Sequence, residues 1–114
     1  MKEVPARPLT AHEAEVLDLA LQRGAVVSVP DSVLRGVLSL EVVGVCTCGC
    51  RSIYFAGESR KDKRLADTWG HTADGKRIDV LVWGSEEKVT SLDLVDYLST
   101  GELPTPESIG RAPA

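Results

Sequence analysis

The spacing of apolar residues changes once along the chain, and this change limits the folds that the sequence can adopt. In two segments before residue 39, at about 10–23 and 31–38, apolar side chains recur at the spacing of one face of a helix. From Glu41 onward β-branched residues dominate and the spacing falls to two, which indicates strands. Helices followed by strands is the order of an α+β fold. We therefore predict two N-terminal helices packed on one face of an antiparallel meander of about four strands.

The first predicted helix has a marked beginning and end. Thr10 and Glu13 are three residues apart and form a capping box, in which each side chain bonds a backbone N–H of the other residue. The helix therefore begins near Thr10, and Gly24 is suited to end it. A second, shorter helix is predicted to begin at Asp31 or Ser32, because the apolar residues that follow form a helical stripe.

Turn residues divide the second half of the chain into strands. The predicted strands are residues 41–46, 52–56, 77–83 and 89–97. Residues 65–70 are a candidate for a further strand, because Asp74 and Gly75 form a turn that would fold this segment onto the next one. The spacing in 89–97 also fits a helix, but the turn that precedes this segment favours a strand.

Length and composition indicate one domain. The chain has 114 residues, enough for a single hydrophobic core. Residues 1–8, with two prolines and no periodicity, are predicted to be an extended lead-in to a domain at 9–98. Residues 99–114 are rich in proline and glycine, and we expect a tail that lies over the sheet edge or stays loose in solvent.

Charge and hydropathy exclude several kinds of partner. Thirteen Lys and Arg against seventeen Asp and Glu leave a net charge of -4, so nucleic acid is not an expected partner. No apolar run approaches the roughly 20 residues that span a bilayer, and the first residues do not resemble a secretory signal, so no membrane association is expected. The three cysteines are too close together for a disulfide framework, which favours a reducing cytoplasm.

The cysteine cluster is the most distinctive motif. Cys46, Cys48 and Cys50 alternate along the chain, and a bend at Gly49 would let their sulfur atoms converge on one point. Structural Zn²⁺ takes four ligands, and His71, close to a predicted turn, is the better placed histidine for the fourth. Small thiols that fill a tight hairpin are the favoured interpretation. We therefore predict no cofactor and keep zinc as the alternative.

The same cysteines give little support for an enzyme. A nucleophilic thiolate needs a neighbouring base or a helix N-terminus, and a hairpin offers no helix dipole. The sequence also lacks a glycine-rich phosphate loop and a paired histidine motif. It therefore favours a protein without catalytic activity.

An apolar strip is the other candidate site. The strand predicted at 77–83 has apolar residues on both faces, whereas two short helices can cover only one face of a four-stranded sheet. We expect Leu81, Trp83, Val95 and Tyr97 to form a strip on the other face, covered by a partner protein, a second copy or the proline-rich tail. The predicted function is protein binding or regulation, including the neutralisation of a toxin. A zinc-binding or thiol-dependent protein is the alternative.

Three motifs resemble those of a group of small bacterial proteins that form a domain of unknown function. They are R-P-L-T at residues 7–10, C-x-C-G-C-x-S at 46–52 and S-L-D-L-V at 91–95. The resemblance covers most of residues 7–106 and implies the same order of a helix, a cysteine motif, an Asp-Gly turn and an apolar strand. It implies no activity and no binding residue.

Overall fold

The computed structural model describes residues 1–47, 49–56 and 62–110. The strands are β1 (Lys2–Pro8), β2 (Glu41–Val45), β3 (Ile53–Phe55), β4 (Lys63–His71), β5 (Arg77–Gly84) and β6 (Val89–Val95). The helices are α1 (Ala11–Gly24) and α2 (Asp31–Gly36), and there are 3₁₀ turns at Val37–Ser39 and Pro106–Ser108.

All six strands belong to one antiparallel sheet with the order β1-β2-β3-β6-β5-β4. The prediction of a meander of about four strands is therefore wrong. The fold is α+β, but β1 and β4 add two strands, and β3 pairs with β6 instead of with the strand that follows it. The turns that suggested a meander act between neighbours in the chain, whereas this central pairing joins distant segments.

The segment predicted as an extended lead-in is the edge strand β1. Its pairing with β2 is regular at Lys2 and Glu3 and again at Arg7 and Pro8, with a shift in register between them. Proline cannot donate to a neighbouring strand, so it is tolerated at a sheet edge or a bulge. The two prolines therefore do not prevent a strand here, although they hide its period.

The hydrophobic core lies on one face of the sheet. α1 packs across β4 and β5 and buries Val16, Leu17 and Ala20 completely. The inward side chains of β5, including Val80 and Val82, are also fully buried. Residues of α2 and of the following 3₁₀ turn join the same core cluster, so both helices serve this one face.

An ion pair at the start of α1 joins this helix to β1. Thr10 and Glu13 form the expected capping box. The Glu13 carboxylate is buried and also accepts hydrogen bonds of 2.8 and 3.0 Å from the two terminal nitrogens of Arg7. Burial acts to raise the pKa of Glu13, but the hydrogen bonds from Arg7 and Thr10 outweigh it and lower the pKa below its usual value.

The C-terminal segment covers the outer edge of β4, which is the first of its two predicted positions. The N–H groups of Thr105 and Gly110 donate to the carbonyl oxygens of His71 and Trp69, each at 2.8 Å. Two apolar side chains of this segment join the core, Leu103 and Ile109. The segment therefore packs on the same side as the helices and leaves the other face of the sheet uncovered.

The described part of the chain contains no helix that combines the length and the hydropathy needed to cross a membrane.

The ion pair predicts a pH-dependent stability. Replacing Glu13→Gln keeps the shape of the capping box but removes the charge that Arg7 neutralises, so we expect a loss of about 2 kcal/mol in the free energy of unfolding at pH 7. Because the folded-state pKa of Glu13 is lowered, its contribution is complete above the unfolded pKa of about 4.3 and is lost as the pH falls through the folded value.

Urea unfolding of both proteins from neutral to acid pH measures this difference. The control is Glu87→Gln, which removes an exposed carboxylate from the turn between β5 and β6. Wild type and Glu13→Gln should converge in acid. Parallel curves over the whole pH range would show that the Glu13 charge does not stabilise the fold.

Candidate functional site

The sheet face opposite the helices is the candidate site. Side chains alternate along β5, so that Asp79, Leu81 and Trp83 are half-buried while the residues between them are fully buried. We define the open face by the outward side chains of four adjacent strands: Tyr54 of β3, Ser91, Asp93 and Val95 of β6, Asp79, Leu81 and Trp83 of β5, and Asp67 and Trp69 of β4. In the described residues, the helices and the C-terminal segment all pack on the other side.

Strand register arranges the open face in rows. Leu81 lies at the centre, opposite Asp67 on one side and Asp93 on the other. The apolar centre of the open face is therefore flanked by two carboxylates. The row of Trp83 contains Ser91, which also lies opposite Tyr54.

Each tryptophan of the open face is covered by an arginine. The Arg64 guanidinium lies 5.3 Å from the ring centroid of Trp83, and the Arg77 guanidinium lies 5.4 Å from that of Trp69. Both distances are within the range of cation–π attraction. Carboxylates hold the two guanidinium groups in place, because Arg64 pairs with Asp67 at 3.0 Å and Arg77 pairs with a neighbouring aspartate at 2.8 Å.

That aspartate, Asp79, also joins β5 to the end of β6. It accepts a hydrogen bond of 2.6 Å from the hydroxyl of Tyr97, which raises the pKa of Tyr97. Partial burial acts to raise the pKa of Asp79, but the bonds from Tyr97 and Arg77 outweigh it, so the net change is a lowered pKa. Tyr97 is 65% exposed, yet this bond positions its ring beside the open face.

The cysteine motif borders the same face. Cys46 and Cys50 are half-buried and line a cavity of about 320 Å³ together with Asp93, Val95 and Asp96. Partial burial acts to raise the pKa of Asp96, but bonds from nearby backbone N–H groups outweigh it and lower the pKa. Two cysteines and two aspartates thus line one cavity at the end of β6.

A buried hydroxyl connects one of these thiols to the sheet. The Cys50 thiol donates to Ser52 Oγ at 3.3 Å, and the Ser52 hydroxyl donates to Asp93 Oδ1 at 3.1 Å. Ser52 Oγ also accepts from the backbone N–H of Leu94 at 2.8 Å. Ser52 therefore links the cysteine loop and the start of β3 to β6.

A second cavity lies on the other side of Asp93. It has a volume of about 390 Å³ and is lined by Tyr54, Asp62, Trp83, Ser91 and Asp93. The carboxylate of Asp62 accepts a hydrogen bond from the Thr90 hydroxyl. Because Asp93 borders both cavities, the thiols and the aromatic residues belong to one continuous surface.

The predicted zinc ligands are only partly brought together. Cys46 and Cys50 share a cavity, whereas Cys48 lies outside the described residues. His71 is at the end of β4, and two strands, β5 and β6, lie between β4 and β3. Within residues 1–47, 49–56 and 62–110, no group of three or more His, Cys, Asp or Glu side chains is arranged to hold a metal ion.

The four predicted interface residues lie together at β5 and the end of β6. Leu81, Trp83 and Val95 are half-buried on the open face, and Tyr97 is next to it. Sequence reasoning missed the contribution of Arg64 and the other stacked arginine. One usable signal was the spacing of Arg77 and Asp79 in β5, because residues two apart in a strand lie on the same face. The cross-strand partners could not be found without the register.

Neither a family model, a curated protein nor a solved structure matches this chain. The resemblance based on its three motifs therefore stays a prediction.

The Ser52 network predicts a measurable loss of stability. In Ser52→Ala, the buried N–H of Leu94 loses its hydroxyl acceptor and Asp93 loses a donor, so we expect a loss of about 2 kcal/mol in the free energy of unfolding. Chemical denaturation measures it, with the exposed Ser39→Ala as the control. A loss below about 0.5 kcal/mol, typical of a surface substitution, would contradict this role for Ser52.

Proposed function

We propose that this chain is a non-enzymatic protein-binding domain, of the regulatory or toxin-neutralising kind, and that it binds its partner with the open face. The observation that carries the proposal is the apolar group at Leu81, Trp83 and Val95, which remains partly exposed on β5 and β6, on the face opposite the helices. Exposed apolar patches with a polar rim are typical of interaction sites.

The residue types of the open face support the proposal. Tryptophan, tyrosine and arginine are enriched among the residues that dominate binding energy at interfaces. Here Arg64 and Arg77 are already held over tryptophan rings by ion pairs. Side chains that are ordered before binding lose less conformational entropy when a partner docks. The open face is thus suited to form a contact without rearrangement.

The charges suggest the chemistry of the partner. Asp93 flanks Leu81 and takes part in none of the ion pairs of the described residues, Asp67 on the other side is paired with Arg64, and the whole chain carries a net charge of -4. A protein surface with an apolar centre and basic residues around it would complement this arrangement, and charge complementarity favours both encounter and correct orientation. The three cysteines, which are too close together for a disulfide framework, fit a reducing cytoplasm as the place of this interaction.

Leu81→Arg tests the proposed interface. Arginine introduces a positive charge and a larger side chain where a basic partner would dock, while the two flanking carboxylates favour a folded variant. Affinity capture with the wild type supplies candidate partners, and calorimetry with each purified candidate gives the Kd. We expect Leu81→Arg to weaken binding by about tenfold or more.

Val26→Arg is the matched control. Val26 is an exposed apolar residue that follows α1, away from the open face, so this substitution should leave the Kd unchanged. The proposed function is wrong if the purified partners bind Leu81→Arg as tightly as wild type. It is equally wrong if no protein captured by the wild type binds directly when purified.

The zinc-binding or thiol-dependent alternative is favoured by one specific observation. Cys46 and Cys50 line one cavity with Asp93 and Asp96, and thiolates and carboxylates are both zinc ligands. Because no three of the described His, Cys, Asp or Glu side chains are arranged to hold a metal ion, a four-ligand zinc site would require at least two ligands beyond this set, and Cys48 is one candidate.

Elemental analysis of protein purified without chelator separates the two functions. For a binding domain with structural thiols, we expect no stoichiometric zinc and an unchanged metal content in Cys48→Ser. Stoichiometric zinc in the wild type that is lost in Cys48→Ser would favour the alternative, because removing one ligand should release the ion and the folding energy it supplies. Ser39→Ala serves as the control for handling and metal contamination.

A further inference from the structure

A groove between α1 and α2 forms a second surface, separate from the open face. It has a volume of about 580 Å³, and its walls are Ala14, Glu15 and Asp18 of α1 and Leu34, Arg35, Val37 and Leu38 of α2 and the adjoining 3₁₀ turn. Val37 is buried at its base, whereas Leu38 is 78% exposed. A large apolar side chain therefore projects beside an apolar depression.

The charges around this groove are of opposite sign on its two walls. α1 contributes the carboxylates of Glu15 and Asp18, and α2 contributes the guanidinium of Arg35. Among the ion pairs of the described residues, none involves these three groups. Asp18 accepts a hydrogen bond from the neutral side chain of Gln22. Both charged walls are thus available to a docking surface.

We propose that a second copy of this chain occupies the groove and forms a dimer with twofold symmetry. In such an interface every contact occurs twice with the roles of the two copies exchanged, so the surface must complement itself. This groove does so: Leu38 of each copy projects toward the groove of the other, and each Arg35 faces the partner's Glu15 and the partner's Asp18. The pattern needs no other protein to supply the complementary charge.

A charge exchange tests this arrangement. In Arg35→Glu each Glu faces the acidic wall of its partner, and in the double variant Glu15→Lys with Asp18→Lys each Arg35 faces lysines. Both variants should dimerise about tenfold or more weakly than wild type, because like charges face each other across the interface. Mixing the two variants should restore dimerisation as a heterodimer, since both copies of the contact then join opposite charges.

Sedimentation velocity over a wide range of protein concentration measures these equilibria against the chain mass of 12.2 kDa. All substituted positions are at the surface, and circular dichroism checks that each variant is folded. A wild type that remains monomeric at every concentration would overturn the proposal. A mixture that stays as weakly associated as the separate variants would also overturn it.

Leu38→Ser provides an independent test. It removes the projecting side chain and should weaken dimerisation, whereas Leu98→Ser, which changes a leucine that is 64% exposed elsewhere, should not. Leu81→Arg should remain dimeric, because the open face lies on the other side of the sheet. If Leu81→Arg alone abolishes dimerisation, the second copy occupies the open face and the groove assignment is wrong.

Discussion

The pairing of β3 with β6 holds the two halves of the sheet together. Among the described strands, β1 and β2 pair with the rest of the sheet only through β3, while β4 and β5 do so only through β6. The register at this junction joins Ile53 to Leu92 and Tyr54 to Ser91, so the shared segment is short. The Ser52 hydroxyl extends it through its bonds to Asp93 and to the backbone of the next residue. Both cavities of the open face lie beside this junction.

The helices and the C-terminal segment pack on the same face of the sheet, and this determines which surfaces are exposed. α1, α2 and the C-terminal segment all contribute to one hydrophobic core. On the opposite face, Asp67 lies beside Leu81 and Arg64 lies beside Trp83. Because polar side chains surround them, the two apolar residues can remain partly exposed in the folded chain. The ion pairs of the open face order the aromatic rings. These contacts order the side chains of the open face, which supports the proposed use of this face for binding a partner.

Several local features of the fold could be predicted from the sequence. The capping box at Thr10 and the segments of β2, β3, β5 and β6 depend on residues close together in the chain, and the sequence indicates each of them. β1 was missed because Pro5 and Pro8 interrupt the alternation that marks a strand. The candidate site followed the same division: Leu81 and Trp83 were placed by alternation along one strand. The positions of Arg64 and Arg77 over the tryptophan rings could be found only from the pairing of β4 with β5.

The amino-acid sequence by itself determined where α1 begins, that β2, β3, β5 and β6 are extended and which side chains of β5 share a face, because each of these follows from interactions within a few residues. Only the tertiary structure decided that β3 pairs with β6, that the C-terminal segment covers β4 and that two strands separate the strand of His71 from β3. These outcomes depend on contacts between residues far apart in the chain, whose register and hydrogen bonds are fixed by the packing of the whole core and leave no local pattern in the sequence.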